Sequence, residues 1–104
     1  MNENDLCFLP AAAQSELLRQ KQISARELLA ACLARIEAVN PAVNAIVTMD
    51  ADDAMRQAEA ADDRFARGET VGPLHGLVIA HKDLLATKGM RTTQGSLLHQ
   101  DDVP

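Results

Sequence analysis

The chain has 104 residues, with ten Lys and Arg against fifteen Asp and Glu and a formal net charge of −5. That length fits at most one small domain, and an acidic balance without any basic run argues against nucleic acid or an anionic membrane as partner. No apolar run approaches a membrane span, and the start MNENDLCFLP has neither the basic nor the apolar region of a signal peptide, so the expectation is a cytoplasmic protein.

Hydrophobic residues make up 47% of the chain, enough to fold, yet there is no Trp or Tyr and only two Phe. Alanine supplies much of the apolar count and buries little area, so the expected core is thin and wants further surface to pack against. Cys7 and Cys32 lie far apart in sequence. Without secretory features a structural disulfide is not expected, and Cys32 reads as a small core residue.

Residues 1–9 read as a loose lead-in. Pro10 suits the first turn of a helix, predicted over Ala11 to Gln20 with Leu17 and Leu18 as its apolar edge. Lys21-Gln22-Ile23 is a connector. Ser24 and Glu27 then form a capping box, and the helix behind it is the clearest in the chain. Leu28, Cys32 and Ile36 recur at i+4, Leu29 pairs with Leu33, and Val39 extends the stripe. Asn40-Pro41 predicts its end, because a residue before proline avoids the helical region.

Asn44 to Met49 is rich in β-branched residues and reads as a short strand. Asp50 is a predicted N-cap, with Asp52 and Asp53 in the first turn where the helix dipole favours negative charge. That helix should run from Ala51 to about Arg67 and stop at Gly68. Its face is Ala51, Ala54, Met55, Ala58, Ala61 and Phe65. After a surface turn over 69–73, the stretch GPLHGLVIAHKDL from Gly72 to Leu84 predicts a strand over about Leu77 to His81. A polar loop over 86–96 follows. The order is helix, helix, strand, helix, strand, loop: the front edge of an α/β architecture, whose sheet needs more strands than this chain offers.

The chemical clue is Lys82, an ammonium set beside Asp83 where the apolar run ends, a place where desolvation is costly. From here the residues resemble a known family. GPLHGLVIAHKDLLATKGMRTTQGS is similar to the first block of the amidase signature family, which includes bacterial amidases, fatty acid amide hydrolase and the A subunit of glutamyl-tRNA amidotransferase. The matching residues are Pro73, Leu74, Gly76, Leu77, Lys82, Asp83, Gly89, Thr92, Thr93, Gly95 and Ser96. Upstream, 24–28, 34–37, Asn40-Pro41 and Asn44-Ala45 resemble the family's N-terminal helix and the turn after it. Val78 stands where the family has proline, and His81 where an apolar residue precedes the lysine.

The resemblance implies N-terminal helices and first strands of a mixed sheet covered by helices, incomplete over 1–104. It also implies carboxamide C–N cleavage by a serine nucleophile, a second serine in a cis peptide, and Lys82. A neutral lysine can accept a serine proton, but a free one titrates near pH ~10.4 and must first be desolvated or placed near other positive charge. Leu77 to Ala80 is the expected desolvating wall. No Gly-Gly-Ser-Ser-Gly-like run occurs in the 104 residues, so the chain is expected to be the N-terminal part of an amidase and inactive alone. No cofactor or metal is implied. The partners implied are a small-molecule amide and either a second copy or the remainder of the enzyme. The loop from Leu84-Leu85 to Gly95-Ser96 looks more like stand-alone amidases than the amidotransferase protein.

Blander readings stand beside these. A strand-end lysine commonly snorkels to water. Asp83 suits a loop-backbone hydrogen bond, and Thr92, Thr93 and Ser96 suit either a substrate cleft or turn hydrogen bonding. His81-Lys82-Asp83 has the letters but not the spacing of a phospholipase D motif. His75, His81 and Asp83 match no zinc spacing, and Asp50, Asp52 and Asp53 lack the glycine and distal glutamate of a calcium loop. The reading from a different class is a non-catalytic remnant or helical interaction module using the Leu28/Cys32/Ile36 and Ala54/Met55/Ala58 faces.

Overall fold

The computed structural model describes residues 2–104, and the side chains of all of these except Glu3 and Asn4. Four helices carry the frame: α1 (Glu3–Phe8), α2 (Ala11–Arg19), α3 (Ala25–Val43) and α4 (Ala51–Ala66), followed late in the chain by a single 3₁₀ turn at Leu97–His99. α3 is the centre, packed against both α1 and α4.

The caps explain most of the boundaries. Ser24 Oγ accepts from Glu27 N at 3.0 Å while Ser24 N donates to Glu27 Oε1 at 3.3 Å, so both halves of the expected box form. Asp50 Oδ1 accepts from Asp53 N at 3.0 Å and starts α4 where predicted. α4 ends in a Schellman motif: Glu69 N donates to Arg64 O and Gly68 N to Phe65 O, with Gly68 at φ +70°. α2 ends the same way through Gln22 N to Leu17 O and Lys21 N to Leu18 O, with Lys21 taking the left-handed position at φ +59°.

Two boundaries differ from the sequence expectation. The lead-in is helical: Asn2 Oδ1 accepts from Asp5 N at 2.9 Å and Asn2 N donates back to Asp5 Oδ2 at 3.2 Å, a capping box that precedes buried Leu6. Met1 of that expected lead-in lies outside the described residues. α3 also runs through Pro41 to Val43 and ends on Asn44 at φ +49°. A proline in an exposed last turn removes only one hydrogen bond there. The Asn40 side chain offsets that loss by gripping the next segment, with Ile46 N donating to Oδ1 at 2.9 Å and Nδ2 donating to Ile46 O at 3.0 Å.

The core is small, as the composition predicts. Its buried residues are Leu6, Leu18, Ala25, Leu28, Leu29, Ala31 and Ala58, with Leu18 and Leu28 the fully enclosed large side chains. The radius of gyration is 15.0 Å, against about 13 Å for a compact chain of about 100 residues.

The expected strands over 44–49 and 77–81 do not form: no strand occurs among the described residues. An extended segment becomes a strand only when a second edge pairs with its N–H and C=O groups. Neither segment meets such an edge here. Val47, Met49, Val78 and Ile79 are left exposed. The α/β expectation is therefore corrected, for this chain, to a helical frame carrying two extended segments without a sheet.

Candidate active site

The stretch that carries Lys82 is pinned at its beginning. Ser15 Oγ donates to Pro73 O at 3.3 Å, His75 Nε2 lies 3.0 Å from Ala61 O, and the His75 ring meets Phe65 edge-on at 4.7 Å between centroids. Gly76 follows at φ +87°, where a Cβ would stand 3.2 Å from Leu18 Cδ1 and 3.4 Å from Phe65 Cε2. Only glycine meets both the backbone angle and the close approach to α2 and α4. His75, considered in the sequence as one of three metal ligands, is thus engaged with α4.

From Gly76 the chain runs out along a trough of about 1010 Å³, walled by Leu29, Leu33 and Ala54 of the helices and by the 45–50 and 76–85 segments. Lys82 lies on its lip and is exposed. The apolar run does not act as a desolvating wall in this chain: Ile79 is 73% exposed and Val78 39%. The reason is the one that removed the strands, since nothing among the described residues packs over the segment. His81, expected beside a buried lysine, is exposed as well.

Beyond Lys82 the geometry tightens. Asp83 Oδ1 accepts from Thr93 N at 2.8 Å, and Oδ2 accepts from the Thr93 hydroxyl in a short contact. Gly95 N donates to Thr93 Oγ1 at 3.2 Å. Ser96 N donates to Thr93 O at 3.0 Å, closing a turn whose central residues Gln94 and Gly95 sit at φ +54° and +70°. Positive φ at both positions is the signature of a type I′ turn. Hydrogen bonds from the Thr93 hydroxyl first, then the Thr93 backbone, with smaller help from the Gly95 and Gln94 amides, hold the Asp83 carboxyl below its ordinary range.

Thr92 is buried at 4% exposure and Thr93 at 9%. Thr92 Oγ1 meets Thr87 Oγ1 at 2.9 Å, and Thr92 N donates to Asp102 O at 2.9 Å. Ser96 Oγ accepts from Leu98 N at 3.2 Å and begins the 3₁₀ turn. Of the two uses open to these hydroxyls, the structure shows turn and loop hydrogen bonding. Arg91 fastens the loop to the first extended segment, donating to Val47 O and Gln100 O, each at 2.9 Å. No sequence pattern announced that tie.

The segment that builds this trough and clasp matches known amidases in sequence and in fold. The family model described as Amidase matches residues 27–104. The chain is 47% identical over 100 residues to the A subunit of the glutamyl-tRNA(Gln) amidotransferase of Moorella thermoacetica, covering 96% of this chain and 20% of that protein. It is 42% identical over 101 residues to the same-named protein of Acidothermus cellulolyticus, covering 97% of this chain and 20% of that protein. A crystal structure of a bacterial aryl acylamidase of the amidase signature enzymes superposes with a TM-score of 0.80 at 36% identity, covering 86% of this chain and 19% of that one. The class defined is that of the amidases, hydrolases whose complete fold is α/β. The chain belongs to the amidase signature family. It spans about one fifth of the length of the curated relatives it matches.

Proposed function

We propose that residues 1–104 are the N-terminal portion of an amidase domain, and that Lys82 is the proton acceptor of a Ser–cis-Ser–Lys apparatus whose serines belong to the rest of the enzyme. The observation that carries this reading is the Lys82-Asp83 pair on the lip of the trough, inside a block matched over most of the chain by the family. In the reaction, a serine oxygen attacks a carboxamide carbon and its proton passes by way of the second serine to neutral Lys82. The amine leaves with a proton, and water resolves the acyl-enzyme. A lysine is neutral at work when it is desolvated or set near other positive charge, and the first of these requires the exposed Val78–Ile79 face to be covered. The rest of the amidase fold is the cover we assign to it.

The substrate class is a small carboxamide, the reaction calls on no cofactor, and the setting is the cytoplasm. The names of the curated relatives support amido transfer within a larger assembly over a stand-alone amidase. The aryl acylamidase match keeps anilides among the amides to try. The interaction-module reading draws no comparable support, because the family match runs through the lysine block and not only through the helical faces.

The test is turnover by the full-length polypeptide carrying this segment, with glutamine and p-nitroacetanilide as amide probes. Lys82→Ala should reduce kcat by about 10²–10⁴-fold, the range of general acid–base contributions. The 104-residue chain alone should show no turnover. Full activity in the Lys82→Ala protein, or Lys82-dependent turnover by the isolated chain, would sink the reading.

A further inference from the structure

We propose that Asp83 is the positioning residue for Lys82: its carboxylate, seated on the turn over 93–96, fixes the backbone from which the lysine side chain departs. The proposal rests on the reading of Lys82 as proton acceptor.

Upstream of Lys82 the nearest firm anchors are Gly76, wedged against Leu18 and Phe65, and the Leu77 N to Leu74 O bond at 3.2 Å. Between them and Lys82 the chain is extended, unpaired and exposed. Among the described residues Lys82 has no ion-pair partner of its own. A long flexible side chain on a loose backbone does not define where its nitrogen sits. What holds this backbone is the adjacent residue. Asp83 is tied through both oxygens to Thr93, a residue buried beside Thr92. The turn from Lys82 is closed by Leu85 N donating to Lys82 O at 3.0 Å.

The chemistry of the clasp requires a carboxylate. Asp83 is acceptor-only when ionised, and it faces two donors on Thr93. The Thr93 hydroxyl takes a hydrogen bond from Gly95 N, so its own proton is free to point at Asp83 Oδ2. The path Gly95 N–H to Thr93 O–H to Asp83 is therefore directional. An asparagine at 83 can satisfy the Thr93 amide, but it turns an NH₂ toward the hydroxyl and leaves that proton without its acceptor. A valine at 93 removes the hydroxyl link, and a serine keeps it.

The test compares Asp83→Asn, Thr93→Val, Thr93→Ser and the Asp83→Asn/Thr93→Val double variant in the full-length polypeptide, on the same amide probes. Activity is normalised to the folded fraction from thermal unfolding. Asp83→Asn and Thr93→Val should each lower kcat by about 10²-fold, the scale of a 1 Å misplacement, with KM within about twofold. The double variant should be no worse than the singles, and Thr93→Ser should stay near the parent. A loss of folded fraction alone, with kcat per folded molecule unchanged, overturns the proposal. So does Thr93→Ser behaving like Thr93→Val. Lys82→Ala separates the two claims: if it is inactive while Asp83→Asn is fully active, only the positioning role fails, and if it is active, the catalytic reading itself fails. A second measurement does not depend on turnover. The acylation rate of Lys82 relative to Lys88, in the polar loop that follows, should change in Asp83→Asn and Thr93→Val but not in Thr93→Ser. An unchanged ratio overturns the proposal even where neither amide is a substrate.

Discussion

Asp62 is the residue whose removal should cost this frame most for its size. It lies on α4, yet it caps α3: Oδ1 accepts from Ala25 N at 2.6 Å, and Oδ2 accepts from Arg26 N at 3.2 Å and from Arg26 Nε at 3.1 Å. The Asp62 side chain is 13% exposed and that of Arg26 57%. The ion pair with so exposed an arginine contributes only about 0.2–1 kcal/mol. The backbone bonds matter more. Ala25 is 2% exposed, and leaving a buried donor unmet costs about 1–3 kcal/mol. A negative charge at a helix N-terminus adds about 0.3–1 kcal/mol. Together these give about 1.5–5 kcal/mol for Asp62→Ala, and less for Asp62→Asn, which keeps one acceptor. A protein of this length has about 5–15 kcal/mol to lose, and a core with three alanines among its buried residues belongs near the bottom of that range. Urea unfolding followed by helical circular dichroism is the assay. The midpoint should fall by at least about 0.5 M for Asp62→Ala, given slopes of about 1–3 kcal/mol per M. Arg26→Ala should move it much less. If Arg26→Ala costs as much as Asp62→Ala, the ion pair and not the cap joins the two helices. If Asp62→Ala leaves the midpoint in place, α3 does not depend on α4 for its N-terminus.

Gly76→Ala should destabilise by about 1–3 kcal/mol, because it forces a side chain into positive φ and against Leu18, whereas Gly72→Ala, with nothing within 4 Å, should stay within about 0.5 kcal/mol. Equal unfolding midpoints for the two variants would refute the close-packing account of the GPLHG turn. Burial, and after it the neighbouring Cys7, pushes the Cys32 thiol from its ordinary 9.0 up to about 11. The fold therefore favours the neutral thiol: this contribution is fully present below pH 9 and is lost as pH rises through about 11. Stability measured from pH 8 to pH 11 should fall less steeply in Cys32→Ala than in the parent; parallel curves would show that Cys32 is not the group responsible.

Much of the frame is legible in local chemistry. Ser24 with Glu27, Asp50 with Asp53, and Gly68 each mark a helix end by satisfying groups a few residues away, so the sequence contains both partners. The i+4 stripe of α3 likewise names its buried face in Leu28 and Leu29. Asn2-x-x-Asp5 was legible too, as a shorter version of the same box. The family is carried by residues in fixed order from Pro73 to Ser96, and that order also brings Lys82 and Asp83 together.

Near-neighbour chemistry, readable along the chain, thus accounts for three of the four helices, most of their caps, the thin alanine-rich core and the identity of the lysine block. Whatever depends on a distant partner had to wait for the folded molecule. Asp62 capping α3 across 37 residues, Arg91 reaching Val47, and Gly76 wedged under Leu18 are contacts that no local pattern encodes. The same physics explains the missing strands. Residues 44–49 and 77–81 have the composition of strands, but a strand exists only in its hydrogen bonds to another edge, and none among the described residues pairs with them. Lys82 shares that condition: the sequence supplies the amine and the clasp beside it, while Val78 and Ile79 before it stay exposed, and the role proposed for Lys82 depends on surface packed over them.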